Sequence, residues 1–175
     1  MSQQLDHLSI PFSTEKFPVT LITDQVKSPA NLGSILRLAD AFCVEKIIFC
    51  GIEEAIINSN RLKRTARATQ QTMSYSFEDD ISTVVETLQQ QKYSLTALEI
   101  TDDSIPVEEF AIKKDQKIAL IIGEENFGVS AEILQKTEQN IHITMFGNNS
   151  SMNVAQATGI ALYEITKKIK SVQQK

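Results

Sequence analysis

Apolar positions along this chain alternate between two rhythms. A short, nearly unbroken apolar run at residues 18–23, carrying Val19, Leu21 and Ile22, predicts a buried strand, and the turn Lys27-Ser28-Pro29-Ala30 hands the chain to a helix. There Leu32, Ile35, Leu36, Ala39 and Phe42 share one stripe at helical spacing, and Asn31 is placed to cap the helix start. The same reading gives strands at 46–51, 73–77, 94–100, 117–122 and 140–145. Helices are expected at 60–68, at 79–91 with Ile81, Val84, Val85 and Leu88 inward, at 130–137, and in a closing segment after a polar loop. Strands that alternate with helices, several of them continuously apolar, predict an α/β fold: a mostly parallel sheet with helices on both faces. No repeat or linker interrupts the pattern, so residues 18–175 are expected to form one domain behind an N-terminal extension at 1–17.

The closing helix carries Val154, Ala157, Ala161, Ile165 and Ile169 on one stripe, with Lys167, Lys168 and Lys170 near its C-terminal turn, where the helix dipole favours cations. Ile160, Leu162 and Tyr163 make its other side apolar as well. Two apolar faces suit a core and a second copy of the chain, so a homodimer is expected.

Composition narrows the class. With 175 residues, 42% of them hydrophobic, the chain closes one core without staples. The longest apolar run, 118–122, is far too short to cross a membrane, and the start Met1-Ser2-Gln3-Gln4-Leu5-Asp6 lacks a secretory pattern, which predicts a cytoplasmic protein with no membrane partner. Cys43 and Cys50 form no CxxC, and His7 and His142 have no ligand spacing, so no metal is expected. The net charge of −5 argues against broad affinity for nucleic acid. Between Glu54 and Glu78, however, no acid occurs, and Arg61, Lys63, Arg64 and Arg67 fall at helix-neighbour spacing. Most short basic runs are solvated faces; this one also suits an RNA backbone.

Ligands of parallel sheets gather at the carboxyl ends of strands, where three segments stand out. In the first, Arg37 lies one turn beyond Gly33, so its side chain, leaning toward the helix N-terminus, would pass over a residue with no side chain, leaving room for a phosphate or ribose. The second, Gly123-Glu124-Glu125-Asn126-Phe127-Gly128, is GxExxG and not a dinucleotide fingerprint. Its glycines would let backbone approach a flat ligand while Glu125 orients a neighbouring arginine, or the carboxylate would simply cap a helix. The third, 143–153, is rich in small polar residues, with Ser150 or Ser151 placed to cap the closing helix.

In this order the three segments resemble the motifs of the SpoU/TrmH family of RNA ribose 2′-O-methyltransferases in the SPOUT superfamily. The first is similar to Asn-x-Gly-x-x-x-Arg at Asn31, Gly33 and Arg37, the second to Gly-x-Glu-x-x-Gly at Gly123, Glu125 and Gly128. The third resembles Ile-Pro-Met-x-Gly followed by Ser-Leu-Asn-Val-Ser, here Ile143-Thr144-Met145-Phe146-Gly147 and Ser151-Met152-Asn153-Val154-Ala155. The resemblance implies a C-terminal trefoil knot, which topology rules alone would exclude. It implies S-adenosylmethionine held by Leu98, Gly123, Ile143, Ser151 and Met152, a dimer in which both subunits shape the site, and transfer of a methyl group to a ribose 2′-hydroxyl of tRNA or rRNA.

Arg37 is then the central catalytic candidate, with Asn31, Glu125, Ser151 and Asn153 holding it, the ribose and the loops in register, and Arg61, Lys63, Arg64 and Arg67 meeting RNA. A guanidinium almost never deprotonates, so the role of Arg37 as base or as phosphate anchor stays open. Four features depart from the family pattern: Thr144 for proline, Ala155 for serine, Cys43 for glycine, and Thr65-Ala66-Arg67-Ala68 where many relatives have a Ser-x-Gly-Ala-like turn. A knotted RNA-binding protein without turnover is the alternative function.

Overall fold

The computed structural model describes residues 15–174; residues 1–14, with His7 and most of the expected extension, and Lys175 lie outside the described residues. Seven strands form one sheet: β1 (Phe17–Asp24), β2 (Val44–Cys50), β3 (Tyr75–Glu78), β4 (Tyr93–Leu98), β5 (Ile105–Pro106), β6 (Lys117–Ile122) and β7 (Gln139–His142). Their order is β3-β2-β1-β6-β4-β7-β5, and every pairing is parallel. Leu21 of β1 sits between Ile47 and Leu120, which fixes the centre of the register.

The apolar run in β6 is explained by burial on both sides. Ile118, Leu120 and Ile122 join the core under α1 (Pro29–Ala41), α2 (Asn60–Ala66) and α6 (Val154–Gln173), with Leu32, Ile35, Leu36, Leu62, Leu162 and Ile165. Ala119 and Ile121 point the other way, into a core with Val84, Val85 and Leu88 of α4 (Ile81–Gln90) and Ile133 of α5 (Ala131–Leu134). A fully apolar strand would be wasted in a sheet with one wet face; here both faces are covered. The short α3 (Thr69–Thr72) lies beside α1.

The structure corrects several sequence expectations. Ser28, not Asn31, caps α1: its hydroxyl accepts from Asn31 N, and Pro29 at the first helical position needs no N–H partner. Asn31 therefore sits inside the first turn with its side chain free for other work. Asn153, not Ser150 or Ser151, caps α6, its Oδ1 accepting from Ala155 N at 3.0 Å and Gln156 N at 3.3 Å. Leu162 belongs to the core, which leaves Ile160 and Tyr163 on the outer side of α6, 40% and 54% exposed. The segment read as a loop before residue 107 contains β5, two residues at the sheet edge, where a proline is tolerated. β1 begins at Phe17, inside the expected extension.

All strands being parallel, the segments that follow β1, β4, β6 and β7 emerge at one edge of the sheet.

Candidate functional site

The loop after β6 is built on itself. Gly128 N donates to Glu124 O at 2.8 Å and Glu124 N to Gly128 O at 3.2 Å, closing a tight turn. The Glu124 carboxylate accepts from Asn126 N, Phe127 N and Asn126 Nδ2 at 2.8–2.9 Å, and these bonds, the Asn126 N–H foremost, hold it below the usual glutamate range. Gly128 has φ +69°, and a Cβ there would stand 2.2 Å from Glu99 Oε2, whose carboxylate accepts from Val129 N and Ile100 N at 3.0 Å. At Gly123 a Cβ would lie 2.0 Å from the carbonyl carbon of Gly128. Both glycines are thus required by contacts of the turn with its own chain and with Glu99.

With Glu124 occupied inside the turn, Glu125 is the carboxylate that reaches out. Its Oε1 accepts from Asn31 Nδ2, and Asn31 Oδ1 accepts from Asn153 Nδ2 at 3.0 Å. One amide on the first turn of α1 therefore ties the loop after β6 to the start of α6. The arginine expected beside Glu125 is replaced by this asparagine, and Asn153 spends its oxygen on α6 and its nitrogen on Asn31.

Beside this bridge lies a cavity of about 350 Å³. Leu98, Gly123, Ile143, Ser151 and Met152, the five residues expected to touch a cofactor, all line it, as does Glu125. Glu99, Phe127, His142 and Met145 line it too and were missed: Glu99 and His142 lie outside the three motif segments, and Phe127 and Met145 lie inside them without having been assigned to the cavity. A second hollow of about 440 Å³ adjoins it and shares Ile100, His142, Ile143, Met145 and Ser150. His142, read as structural, is fixed through Nδ1 by the Ser104 hydroxyl at 3.0 Å.

Arg37 is not in the wall of this cavity. It is exposed on α1, and among the described residues its side chain has no hydrogen-bond or ion-pair partner. The space expected over Gly33 is taken: a Cβ there would stand 1.9 Å from Thr65 Oγ1 and 2.7 Å from Leu62 O, so the glycine seats α2 against α1. That contact has its own consequence, since it brings the helix with Arg61, Lys63 and Arg64, and its C-cap Arg67, alongside the helix with Arg37. All four cations are exposed.

The departures from the family pattern have local explanations. Thr144 uses its hydroxyl to donate to Glu108 Oε1 at 3.1 Å. Cys43 has φ +51° and Arg67 φ +54°, both in the left-handed region that favours glycine, so a side chain at either place carries backbone strain. Ala155 is buried in the core at the first turn of α6.

The chain matches the SpoU rRNA Methylase family over residues 18–163. An uncharacterized tRNA/rRNA methyltransferase of Borreliella burgdorferi is 28% identical over 169 residues, covering 96% of this chain and 72% of the relative. The 23S rRNA (guanosine(2553)-2′-O)-methyltransferase RlmP of Bacillus subtilis is 29% identical over 83% of this chain and 56% of its own length. The crystal structure of an AdoMet-bound rRNA methyltransferase from Sinorhizobium meliloti superposes with a TM-score of 0.79 at 22% identity, covering 89% of this chain and 58% of that one. The chain thus spans little more than half the length of some of its relatives. With the family match running through the strands, the GxExxG turn and the first half of α6, this chain belongs to the SpoU rRNA methylase family.

Proposed function

We propose that this chain is an S-adenosylmethionine-dependent RNA methyltransferase that modifies a ribose 2′-hydroxyl of tRNA or rRNA. The observation that carries this reading is the Asn31 bridge to Glu125 and Asn153 at the edge of the cavity, which joins all three motif segments in one place. The cavity suits the cofactor: about 350 Å³ is within the range for a nucleoside-sized ligand. Leu98, Ile122, Ile143 and Met152 give it apolar walls for a flat base, and Glu125 places negative charge at its edge for a cationic sulfur centre. When bound, S-adenosylmethionine supplies an electrophilic methyl group.

The residues of the chain then have separate tasks. Asn31, Glu125 and Asn153 hold the loops in register, and Ser151 presents its hydroxyl at the cavity wall. A 2′-hydroxyl is a weak nucleophile: as the new O–C bond formed and the donor's S–C bond broke, its proton would pass to solvent water. The Arg37 guanidinium serves this step as a fixed positive charge, binding the phosphate beside the target ribose and favouring the developing alkoxide. Arg61, Lys63, Arg64 and Arg67 hold the adjoining RNA backbone.

The proposal includes a homodimer, a trefoil knot formed by 123–129, 143–153 and α6, and a single domain over 18–175. The half-exposed Ile160 and Tyr163, with Phe42 edge-on to Tyr163 at 6.3 Å, form the face for a second copy. A copy docked there would complete a site whose cation is absent from the cavity wall of its own chain. Among the described residues no helix is long and apolar enough to cross a membrane, and tRNA and rRNA place the work in the cytoplasm.

The test is incubation with a tritiated methyl donor and bulk tRNA or rRNA. Label recovered as a 2′-O-methyl nucleoside supports the reading; no transfer to either RNA, or label on a base, overturns it.

A further inference from the structure

Two phenylalanines near the cavity present their rings almost wholly to solvent. Phe127 is 90% exposed and Phe146 is 97% exposed, well above the other large hydrophobic side chains on the surface. Single exposed apolar residues are ordinary, but these two occupy the loops after β6 and β7 at the same edge of the sheet, and both flank the candidate site. Phe127 lines the cavity itself; Phe146 sits between Met145, which lines both hollows, and Gly147, which lines the second.

Phe127 is also held in place rather than left loose. Its N–H is fixed by the Glu124 carboxylate at 2.9 Å, and the turn that carries it is closed by two backbone bonds between Glu124 and Gly128. The same turn is tied through Glu125 to Asn31 on α1, and α1 is packed through Gly33 on the basic helix α2. Contacts through Thr65 and Leu62 therefore join the helix that carries these cations to the turn that carries an outward-facing aromatic ring. Cations for phosphate and rings for bases are the two parts of a surface for unpaired nucleic acid.

We propose that Phe127 and Phe146 stack on unpaired RNA bases beside the methylated nucleotide, and this rests on the RNA methyltransferase reading above. Sequence-tolerant recognition of single-stranded RNA relies on aromatic side chains that take the faces of bases, which a duplex keeps stacked away. The rings then set which structural context, a loop or an end, presents its ribose to the site. The other occupant with an apolar face to offer is a second copy of this chain.

The sequence contains no tryptophan, so Phe127→Trp and Phe146→Trp each install a single indole. Each variant is titrated with bulk tRNA and with a single-stranded oligoadenylate, and its emission is followed. Quenching by both RNAs is expected, with affinity close to that of the native protein. Phe127→Ala and Phe146→Ala should each weaken RNA binding by about tenfold, as loss of one base stack predicts, with melting temperatures close to that of the native protein. Emission blind to both RNAs, or alanine variants that bind RNA as well as the native chain, would overturn the proposal. Emission that shifts with protein concentration in the absence of RNA would overturn it too, assigning the rings to a copy-to-copy contact. The readout is binding and not turnover, so failure of methyl transfer by the native protein would sink the enzymatic reading while leaving this result to stand or fall on its own.

Discussion

On the α4–α5 side of the sheet, Lys136 stands 3.1 Å from Glu86 and 3.3 Å from Glu132, Ser82 donates to Glu132 at 2.7 Å, and Asp80 caps α4. On the α1–α2 side, Arg37, Arg61, Lys63, Arg64 and Arg67 are exposed, and among the described residues none has a side-chain partner. Both sides bury apolar cores, the one under α1, α2 and α6 the larger, yet α4 and α5 spend their charges on each other while α1 and α2 leave these cations unspent. Neighbouring unpaired cations repel one another, so a fold gains nothing by grouping them. In the function proposed above, such a group meets an anion from outside, so the two sides stand as scaffold and as the face proposed for RNA.

The sharpest way to break that comparison is Arg37→Ala. Because the side chain is exposed and unpaired, the fold should survive, while methyl transfer to RNA falls on the order of 10²- to 10³-fold, the size of losing one preorganised charge at a reacting centre. Transfer at native rates by this variant would return Arg37 to the scaffold. Next comes Asn31→Ala, which cuts the link between the β6 loop and α6: transfer should drop by up to about 100-fold through misplaced loops, with stability lower by about 1–2 kcal/mol for two lost hydrogen bonds. Thermal melting and initial rates together separate the two effects.

Gly33→Ala tests whether α1 and α2 must touch. Its new Cβ meets backbone as well as Thr65, so overpacking should cost about 1–3 kcal/mol and weaken RNA binding by pushing the basic helix away. Gentler still, Arg61→Gln and Arg64→Gln should each leave melting unchanged and reduce the salt dependence of RNA binding by about one unit of log–log slope. On the other side of the sheet, Asp80→Asn should leave RNA binding untouched. The Thr83 hydroxyl, then the backbone N–H groups of Thr83 and Ser82, hold the Asp80 carboxyl below its ordinary value of 3.8. The stabilisation is therefore complete above that value and lost as pH falls through and below it. Asparagine keeps the cap but flattens this acid slope in melting measured from neutral pH down to about pH 3.

Much of the fold could be read from the order of residues, for a physical reason: a strand buried on both faces has to be apolar throughout, as 118–122 is, and a helix against it has to keep one stripe, as Leu32, Ile35, Leu36 and Ala39 do. What misled were places where two residues suit one task. Ser28 and Asn31 both make good caps, and the proline after Ser28 was the deciding signal. Ser151 and Asn153 compete in the same way, and only the stripe of α6 in space shows that the helix begins after Asn153. The five cavity-lining residues Leu98, Gly123, Ile143, Ser151 and Met152 were reached through the family resemblance, and glycine spacing added only a sign of backbone crowding. The reason for that spacing was not legible: at Gly33 and Gly123 the crowding atoms belong to Thr65 and to Gly128, and contacts between distant segments leave no local pattern. Cys43 is the opposite case, a position whose backbone at φ +51° wants glycine while the residue there gives no hint of it.

The partners of Asn31 lie 94 and 122 residues further along the chain. The sheet shares this span, since Val19 of β1 pairs with Ile118 of β6, so sheet and bridge alike wait for long-range closure. α6 supplies Ala161, Leu162, Ile165 and Ile169 to the core as well as Asn153 to the bridge, so a chain cut short before Asn153 would lose part of its core together with its site. Closure of the Asn31 bridge thus reports that the whole stretch from β1 to α6 has arrived.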